Sequence, residues 1–241
     1  MLQGINTATA GMMADEQWQQ ILANNLAQSD TTGYRSETAV LGSFPQVLLS
    51  RTGAQPATLQ TVSEGTGLVA TVPDMSEGAL QQTGQPLDVA LSGPGMFAVQ
   101  GPSGVLYTRA GHFTLDANGS LVTPQGYRLL STAGTPIQAG PGAAIGSDGT
   151  VTYQGKTAGQ IGVFAPTTGQ LADAGGGFFQ ATGSVAPQGT PQLSPGYLEG
   201  SNVSAPEVLA SMIQVLRHFE AGQQFLNQDA ATIDRFTQVA S

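Results

Sequence analysis

The sequence predicts an α+β chain: N- and C-terminal helices pairing as a coiled coil, with a mostly antiparallel β domain inserted between them. Three observations carry this. Apolar residues recur at both chain ends in alternating steps of three and four, the spacing of helices that share a seam. Between the ends, short runs alternate with a period of two and are punctuated by turn formers. The composition agrees, because 33 Gly and 14 Pro among 241 residues, with 10% charged side chains, imply many turns and therefore many short strands.

The N-terminal row is Ile5, Ala8, Met12, Asp15, Gln19, Leu22 and Leu26. Its two polar members leave the helix marginal in isolation, so its stability must come from packing. Ser29, Asp30, Thr31, Thr32 and Gly33 favour non-helical backbone and should stop the helix near Gln28, giving an axial helix over residues 1–30. Residues 31–67 read as an irregular connector with one apolar stretch, Val47 to Leu49, and breakers at Pro45, Gly53 and Pro56. A connector of that length is either functional or ordered only by neighbours.

A β-rich domain is expected over residues 68–200, and it should fold alone. Leu87, Val89 and Leu91 alternate with polar or small residues; Phe97 and Val99 follow the turn Gly93-Pro94-Gly95; then come Val105, Tyr107 and Arg109, and Phe113 and Leu115. Asn118-Gly119 between Leu115 and Leu121, and Asp148-Gly149 between Ile145 and Val151, predict hairpins with type I′ turns. A further strand is expected over Gln160 to Ala165, before a loop at Pro166 to Gly169. Gly175, Gly176 and Gly177 and the Pro-spaced stretch Pro187 to Pro195 then lead to the C-terminal axial helix, residues 201–241.

That helix announces its start, since Ser204 with Glu207 three residues later forms a capping box and Pro206 suits the first turn. Its seam reads Leu209, Met212, Leu216, Phe219, Gln223, Leu226, Ala230, Ile233, Thr237 and Ala240, with Gln223 and Thr237 as polar exceptions. Leu209, Met212, Leu216, Phe219, Leu226 and Ile233, with Ile5, Met12, Leu22 and Leu26, are the expected assembly interface. Trp18, the single tryptophan, stands beside the seam and joins them as an anchor. The plainer reading makes both helices ordinary amphipathic covers of a globular core.

Little chemistry is expected. Sixteen acidic residues against seven basic ones give a net charge of -9, and the basic residues form no stripe, which argues against nucleic acid as a partner. The absence of cysteine removes disulfides and thiolate chemistry. No run approaches the length of a membrane span. The first basic residue is Arg35, so the early segment lacks the basic start of a secretory leader, and either a cytoplasmic location or export without a cleaved signal peptide is expected. His112 and His218 have no companions at metal spacing. Asp88, Glu199 and Glu220 are carboxylates without a visible partner. No catalytic residue, metal, cofactor or small-molecule substrate is expected.

Four segments, in order, carry a resemblance: ILANNLAQSDTTGY from Ile21 to Tyr34, QTGQPLDVAL from Gln82 to Leu91, YTRAGHFTLDANGSLVTPQGYRLL from Tyr107 to Leu130, and YLEGSNVSAPEV from Tyr197 to Val208. Together they resemble the flagellar axial proteins, specifically the rod and hook group of the bacterial basal body. The motif positions are Asn24, Asn25, Leu26, Thr32, Gly33 and Tyr34; Pro86, Leu87 and Asp88; and Ser201, Asn202 and Val203. The chain length leaves little room for the larger outer domain of the hook protein, so the resemblance is to rod subunits.

The resemblance implies a self-assembling structural subunit of the flagellar basal-body rod, a helical homopolymer that transmits torque to hook and filament. It also implies other rod and hook proteins and the flagellar export apparatus as partners, and export without a cleaved signal peptide. Paired terminal helices would form the inner tube and the β domain the outer layer. The stretch Arg51 to Gln55 ahead of Glu64 to Gly67 is similar to, but shorter than, the distal-rod subunit's extra segment. Gly95-Met96-Phe97 departs from the family's usual doubled aromatic, and proximal and distal rod positions both remain open. The competing reading is a secreted β-rich surface-binding module, adhesin-like or carbohydrate-binding, with helical ends. Such a module needs neither the Asn24 to Tyr34 segment nor a capped heptad helix.

Overall fold

A computed structural model describes residues 2–43, 47–49, 60–62, 66–166, 171–183, 185–189 and 192–239. The chain forms two compact units, each assembled from separated stretches of sequence. One draws on residues 1–26, 37–72 and 204–241, the other on residues 27–36 and 73–203.

The helical unit contains α1 (Leu2–Ala27), strands β1 (Glu37–Ser43), β2 (Val47–Leu49), β3 (Gln60–Val62) and β4 (Thr66–Pro73), and α2 (Ala205–Val239). The first helix ends at the turn-forming cluster, as its composition requires. The second begins directly after Ser204, whose carbonyl accepts the Val208 N–H at 3.0 Å. Pro206 falls in the first turn, where its missing N–H costs no hydrogen bond.

The connector differs from expectation. β1 pairs with β4, and β2 pairs antiparallel with β3, Leu48 opposite Thr61. Val69, Thr71 and Val72 suit the second long strand, because β-branched side chains favour extended backbone. The expected breakers Pro45, Gly53 and Pro56 lie outside the described residues, as do Arg51 to Gln55 and Glu64 with Gly65.

The β unit runs through β5 (Leu80–Gln82), β6 (Val89–Ser92), β7 (Met96–Gly101), β8 (Gly104–Thr108), β9 (Thr114–Leu115), β10 (Leu121–Val122), β11 (Arg128–Leu129) and β12 (Ala144–Ile145). It continues through β13 (Thr150–Tyr153), β14 (Lys156–Gln160), β15 (Val163–Phe164), β16 (Leu171–Gly175), β17 (Phe178–Ala181), β18 (Gln192–Pro195) and β19 (Tyr197–Glu199). The main sheet has the order β16-β17-β8-β7-β11-β10-β9, with β15 also on β7. β11 meets β7 at Val99 and Gln100, and β15 meets it at Met96 and Phe97. A second sheet is β12-β13-β14, and β18 with β6 and β19 with β5 form two-stranded ladders.

On β7 the period of two sorts apolar residues between two clusters instead of separating apolar from polar. Phe97 and Val99 join the larger cluster with Leu91, Phe113, Leu129 and Ile161, while Met96 and Ala98 join Tyr107, Leu130 and Phe179. Phe97 meets Phe113 edge to face, ring centroids 5.5 Å apart.

Two local expectations are corrected. The strand foreseen over Gln160 to Ala165 is two strands in different sheets, β14 ending at Gln160 and β15 covering Val163 and Phe164. A Cβ at the intervening Gly162 would lie 2.7 Å from the Ser131 carbonyl oxygen, so close backbone approach takes the place of strand continuity there. The loop foreseen at Pro166 to Gly169 lies, beyond Pro166, outside the described residues.

Both foreseen hairpins form, but not with type I′ turns. Gly119 and Gly149 have φ of 78° and 83°, and Gln154 is the one non-glycine with positive φ among the described residues, so Asn118 and Asp148 do not adopt the mirror-image conformation. Each glycine N–H instead closes a four-residue turn onto Asp116 or Gly146, both at 3.0 Å, the pattern of a type I turn followed by a bulged glycine. Aspartates complete the turns: Asp116 Oδ1 accepts from the Asn118 and Ser120 amides, and Asp148 accepts from the Thr150 amide and hydroxyl. Those bonds hold both carboxyls below the usual carboxylate range, chiefly through Ser120 for Asp116 and through the Thr150 hydroxyl for Asp148.

Candidate functional site

In the helical unit the two helices lie side by side. A Cβ at Gly222 would stand 2.9 Å from Met12 Cγ, and one at Gly4 3.7 Å from the Phe225 ring. Asp15 interacts electrostatically with His218. Moving forward along α1 from Gly4 through Met12 to Asp15, the partners move backward along α2 from Phe225 through Gly222 to His218, so the helices run antiparallel. Burial raises the Asp15 carboxyl above its ordinary pKa, and His218 offsets part of that rise.

The foreseen row on α1 faces inward. Leu22 is buried, and Ile5, Ala8, Met12, Asp15, Gln19 and Leu26 are half-buried, with Ala14 buried and Trp18 half-buried beside them.

On α2 the row packed within the chain is not the one foreseen. Val208 and Val215 are buried, and Ala205, Met212, Phe219, Gly222 and Leu226 are half-buried, again at steps of three and four. Met212, Phe219 and Leu226 belong to both rows. Leu209 and Leu216 are 49% and 44% exposed, and Gln223 is exposed. The physical reason is Gly222: with no side chain there, α1 approaches closely enough for Met12 to lie against its backbone, which turns the Val208–Val215–Gly222 edge inward and Leu209 and Leu216 outward. A search for large apolar residues passes over a glycine. Ala230, Ile233, Thr237 and Ala240 fall outside the residues whose side chains are described.

The motif positions from distant parts of the sequence converge in two places. Within the helical unit, Asn25 Nδ2 donates to the Glu37 carbonyl at 2.8 Å and Oδ1 accepts the Glu37 N–H at 2.9 Å, fastening the end of α1 to the start of β1. Within the β unit, Asn202 bridges two other segments. Its Oδ1 accepts from Ser36 N–H at 2.7 Å, and its Nδ2 donates to the Asp74 carbonyl at 3.0 Å and to Ser76 Oγ at 3.1 Å. Gly33 is buried with φ of 70°, and its N–H donates to the Glu199 carbonyl at 2.8 Å. A Cβ there would lie 2.3 Å from the Ala110 nitrogen, so this position requires glycine twice over.

Beneath this junction lies a buried ion cluster that the sequence did not disclose. Glu199 Oε1 accepts from Arg35 Nη2 at 2.7 Å and from the Gly78 amide at 2.9 Å, while Oε2 accepts from Arg109 Nη1 at 3.3 Å. Arg35, Arg109 and Glu199 are at most 1% exposed. Main-chain oxygens take up further donors: Arg35 Nη1 bonds the Ser76 carbonyl, and Arg109 Nη2 donates to that of Gly93 at 2.6 Å. Burial lowers the Arg109 pKa, Glu199 opposes that, and Arg35 adds to it. Glu199, foreseen as an unpartnered carboxylate, is therefore the anion of this cluster. Its only sequence signal is that three of the seven basic residues, Arg35, Arg109 and Arg128, stand in or beside the motif segments.

Asp88 is corrected likewise: buried, it pairs with His112 Nδ1 at 2.7 Å, across an isolated bridge between their backbones. The pair lines a cleft of about 330 Å³ with Pro86, Leu87 and Phe113. Asn24 and Pro86 are exposed; Leu26, Thr32, Leu87, Ser201 and Val203 are half-buried, and Tyr34 is buried. Glu220 is exposed on α2.

Three family models match in chain order. Residues 5–35 match a flagella basal body rod protein model, residues 90–153 the flagellar hook protein FlgE/F/G D1 domain, and residues 194–238 the flagellar basal body rod FlgEFG protein C-terminal region. The chain is 32% identical over 248 residues to the flagellar basal-body rod protein FlgF of Rhizobium meliloti, covering 98% of this chain and 96% of the relative. It belongs to the flagellar basal-body rod protein family.

Similarity extends to the FlgG rod proteins. Identity is 32% to that of Buchnera aphidicola (subspecies Schizaphis graminum), covering 99% of this chain and all of the relative, and 32% to that of Bacillus subtilis, covering 94% of each. This rod protein is thus a structural component of the flagellar basal body. The matched regions span both helices and the junction that holds Asn202, Glu199 and Gly33.

Proposed function

We propose that this rod protein assembles with copies of itself into a helical axial shaft through the paired terminal helices, which act as a coiled coil, and that the shaft carries torque to hook and filament. The exposed row Leu209, Ile213 and Leu216 supports this reading. These residues are 49%, 53% and 44% exposed and lie one turn apart along α2, on a different face from Val208 and Val215. A helix that has already covered one apolar row and still presents a second has surface for another helix, each covered side chain contributing roughly 1.5 to 3 kcal/mol before entropy is subtracted. Met13, 59% exposed on α1, extends the available surface, and Trp18 and Ile233 are proposed to join it. Neighbouring rod and hook proteins are the proposed contacts at the ends of the shaft. The flagellar export apparatus is the proposed transient partner, with passage not requiring a cleaved signal peptide.

In this reading residues 1–30 and 201–241 are the axial helices. The deciding experiment replaces Leu216 with Asp. The chain should be made and secreted normally, and its monomer should keep a wild-type helical circular dichroism spectrum. It should be missing from purified basal bodies, leaving cells non-motile. Wild-type incorporation and swimming would refute the outward row as an assembly surface.

A further inference from the structure

The ion cluster holds two guanidiniums against one carboxylate, and its members come from three separate stretches of sequence. Arg109 follows β8 and is held by the main chain of its own neighbourhood, donating to the carbonyls of Leu91 and Gly93. Arg35 lies on the segment that leaves α1, and Glu199 ends β19, on the segment that leads into α2. Both Arg Nε atoms are buried without a hydrogen-bond partner among the described residues, so neither guanidinium has spare compensation.

We infer that Glu199 is a closure latch, making docking of residues 33–36 into the β unit conditional on residues 197–202 being seated first. Without Glu199 in place, the site that receives Arg35 already contains the Arg109 guanidinium. A second cation entering a water-poor site beside the first meets like-charge repulsion as well as the cost of desolvation. Once β19 has paired with β5, Tyr197 opposite Gln82 and Glu199 opposite Leu80, the carboxylate sits between the two cations and the repulsion is cancelled.

The same residue supplies a second hold, since its backbone carbonyl accepts the Gly33 N–H at 2.8 Å. The Gly78 amide on Oε1 keeps the carboxylate aimed at Arg35. Asn202, three residues on, then ties Ser36 to Asp74 and Ser76. The segment entering α2 thus governs the segment leaving α1.

Amide hydrogen exchange on the full chain tests this. Glu199→Gln keeps the shape and removes the charge, and exchange at residues 33–36 should rise about 100-fold while β7 and β8 keep their protection. Adding Arg109→Gln removes the opposing cation, and exchange at 33–36 should return to within about tenfold of wild type. The single change Arg109→Gln should leave 33–36 docked as a one-to-one pair. Unchanged protection in Glu199→Gln, equal loss across the whole β unit, or failure of the double variant to recover would each overturn the latch. If Glu199→Gln alone yields no folded protein, the double variant must still be soluble and protected, and its failure to fold would also overturn it.

Discussion

The helical unit and the β unit solve opposite problems with the same modest stock of charge. The β unit hides both faces of its central strand, sending Phe97 and Val99 to one cluster and Met96 and Ala98 to another, and it buries two arginines that pair with one glutamate. The helical unit leaves Leu209, Ile213, Leu216 and Phe225 at least 44% exposed and places a carboxylate, Asp15, against its own packed face. One region is finished within a single chain; the other keeps surface in reserve. In the proposed shaft, a subunit that is both a stable module and half of an interface would divide those duties between regions.

The sharpest test of the finished region is Glu199→Ala. It leaves two buried guanidiniums without their anion and should lower the opening free energy of residues 33–36 by about 3–5 kcal/mol, read by amide exchange, with β7 and β8 unchanged. A cost below about 1 kcal/mol would mean that water reaches the cluster. The contrast within α2 comes next. Val215→Asp places a carboxylate on the covered face and should cost about 2–4 kcal/mol, read from the helical signal. Leu216→Asp, one residue on but facing out, should change the monomer's stability by no more than about 0.5 kcal/mol. Equal effects at the two positions would erase the distinction between packed and reserved rows.

Gly33→Ala should cost about 1–3 kcal/mol, since the added Cβ meets the Ala110 backbone and the left-handed conformation is unfavourable for alanine.

The smallest expected effect is on pH dependence, where the two regions should respond with opposite sign. Asp116 and Asp148 are held below the ordinary value of 3.8, so their stabilisation is present above that value and is lost as pH falls through their folded-state pKa. Asp15 is raised above 3.8, so the helix pair gains stability as pH falls through its folded-state pKa, the gain being complete below 3.8. Comparison of the wild type with Asp15→Asn by exchange across α1 should show the variant more protected at neutral pH and the difference vanishing in acid. A constant difference across the range would show that Asp15 does not titrate against burial.

Much of the architecture could be read from local chemistry. A cluster of turn formers ends α1, a Ser-Pro-Glu start opens α2, and Asx-Gly pairs mark both hairpins, because each signal acts within a few residues of chain. The turn type is not legible in the sequence because an Asx-Gly pair suits both the mirror-image turn and the bulged one, and the aspartate bonds that select between them depend on residues two to four positions away. The connector's ladders are not legible in the sequence because β1 finds β4 across more than twenty intervening residues.

The sequence by itself determined where α1 ends and where α2 begins, that strands fill the middle, and which family the motif segments resemble, because propensity, capping and turn chemistry are short-range. Only the tertiary structure decided which face of α2 turns inward, since that depends on a glycine whose contribution is the space it leaves for Met12. Tertiary structure alone also paired Glu199 with Arg35 and Arg109, and Asp88 with His112. A buried charge selects its partner by proximity in space, and in the case of Arg35 that partner lies 164 residues along the chain.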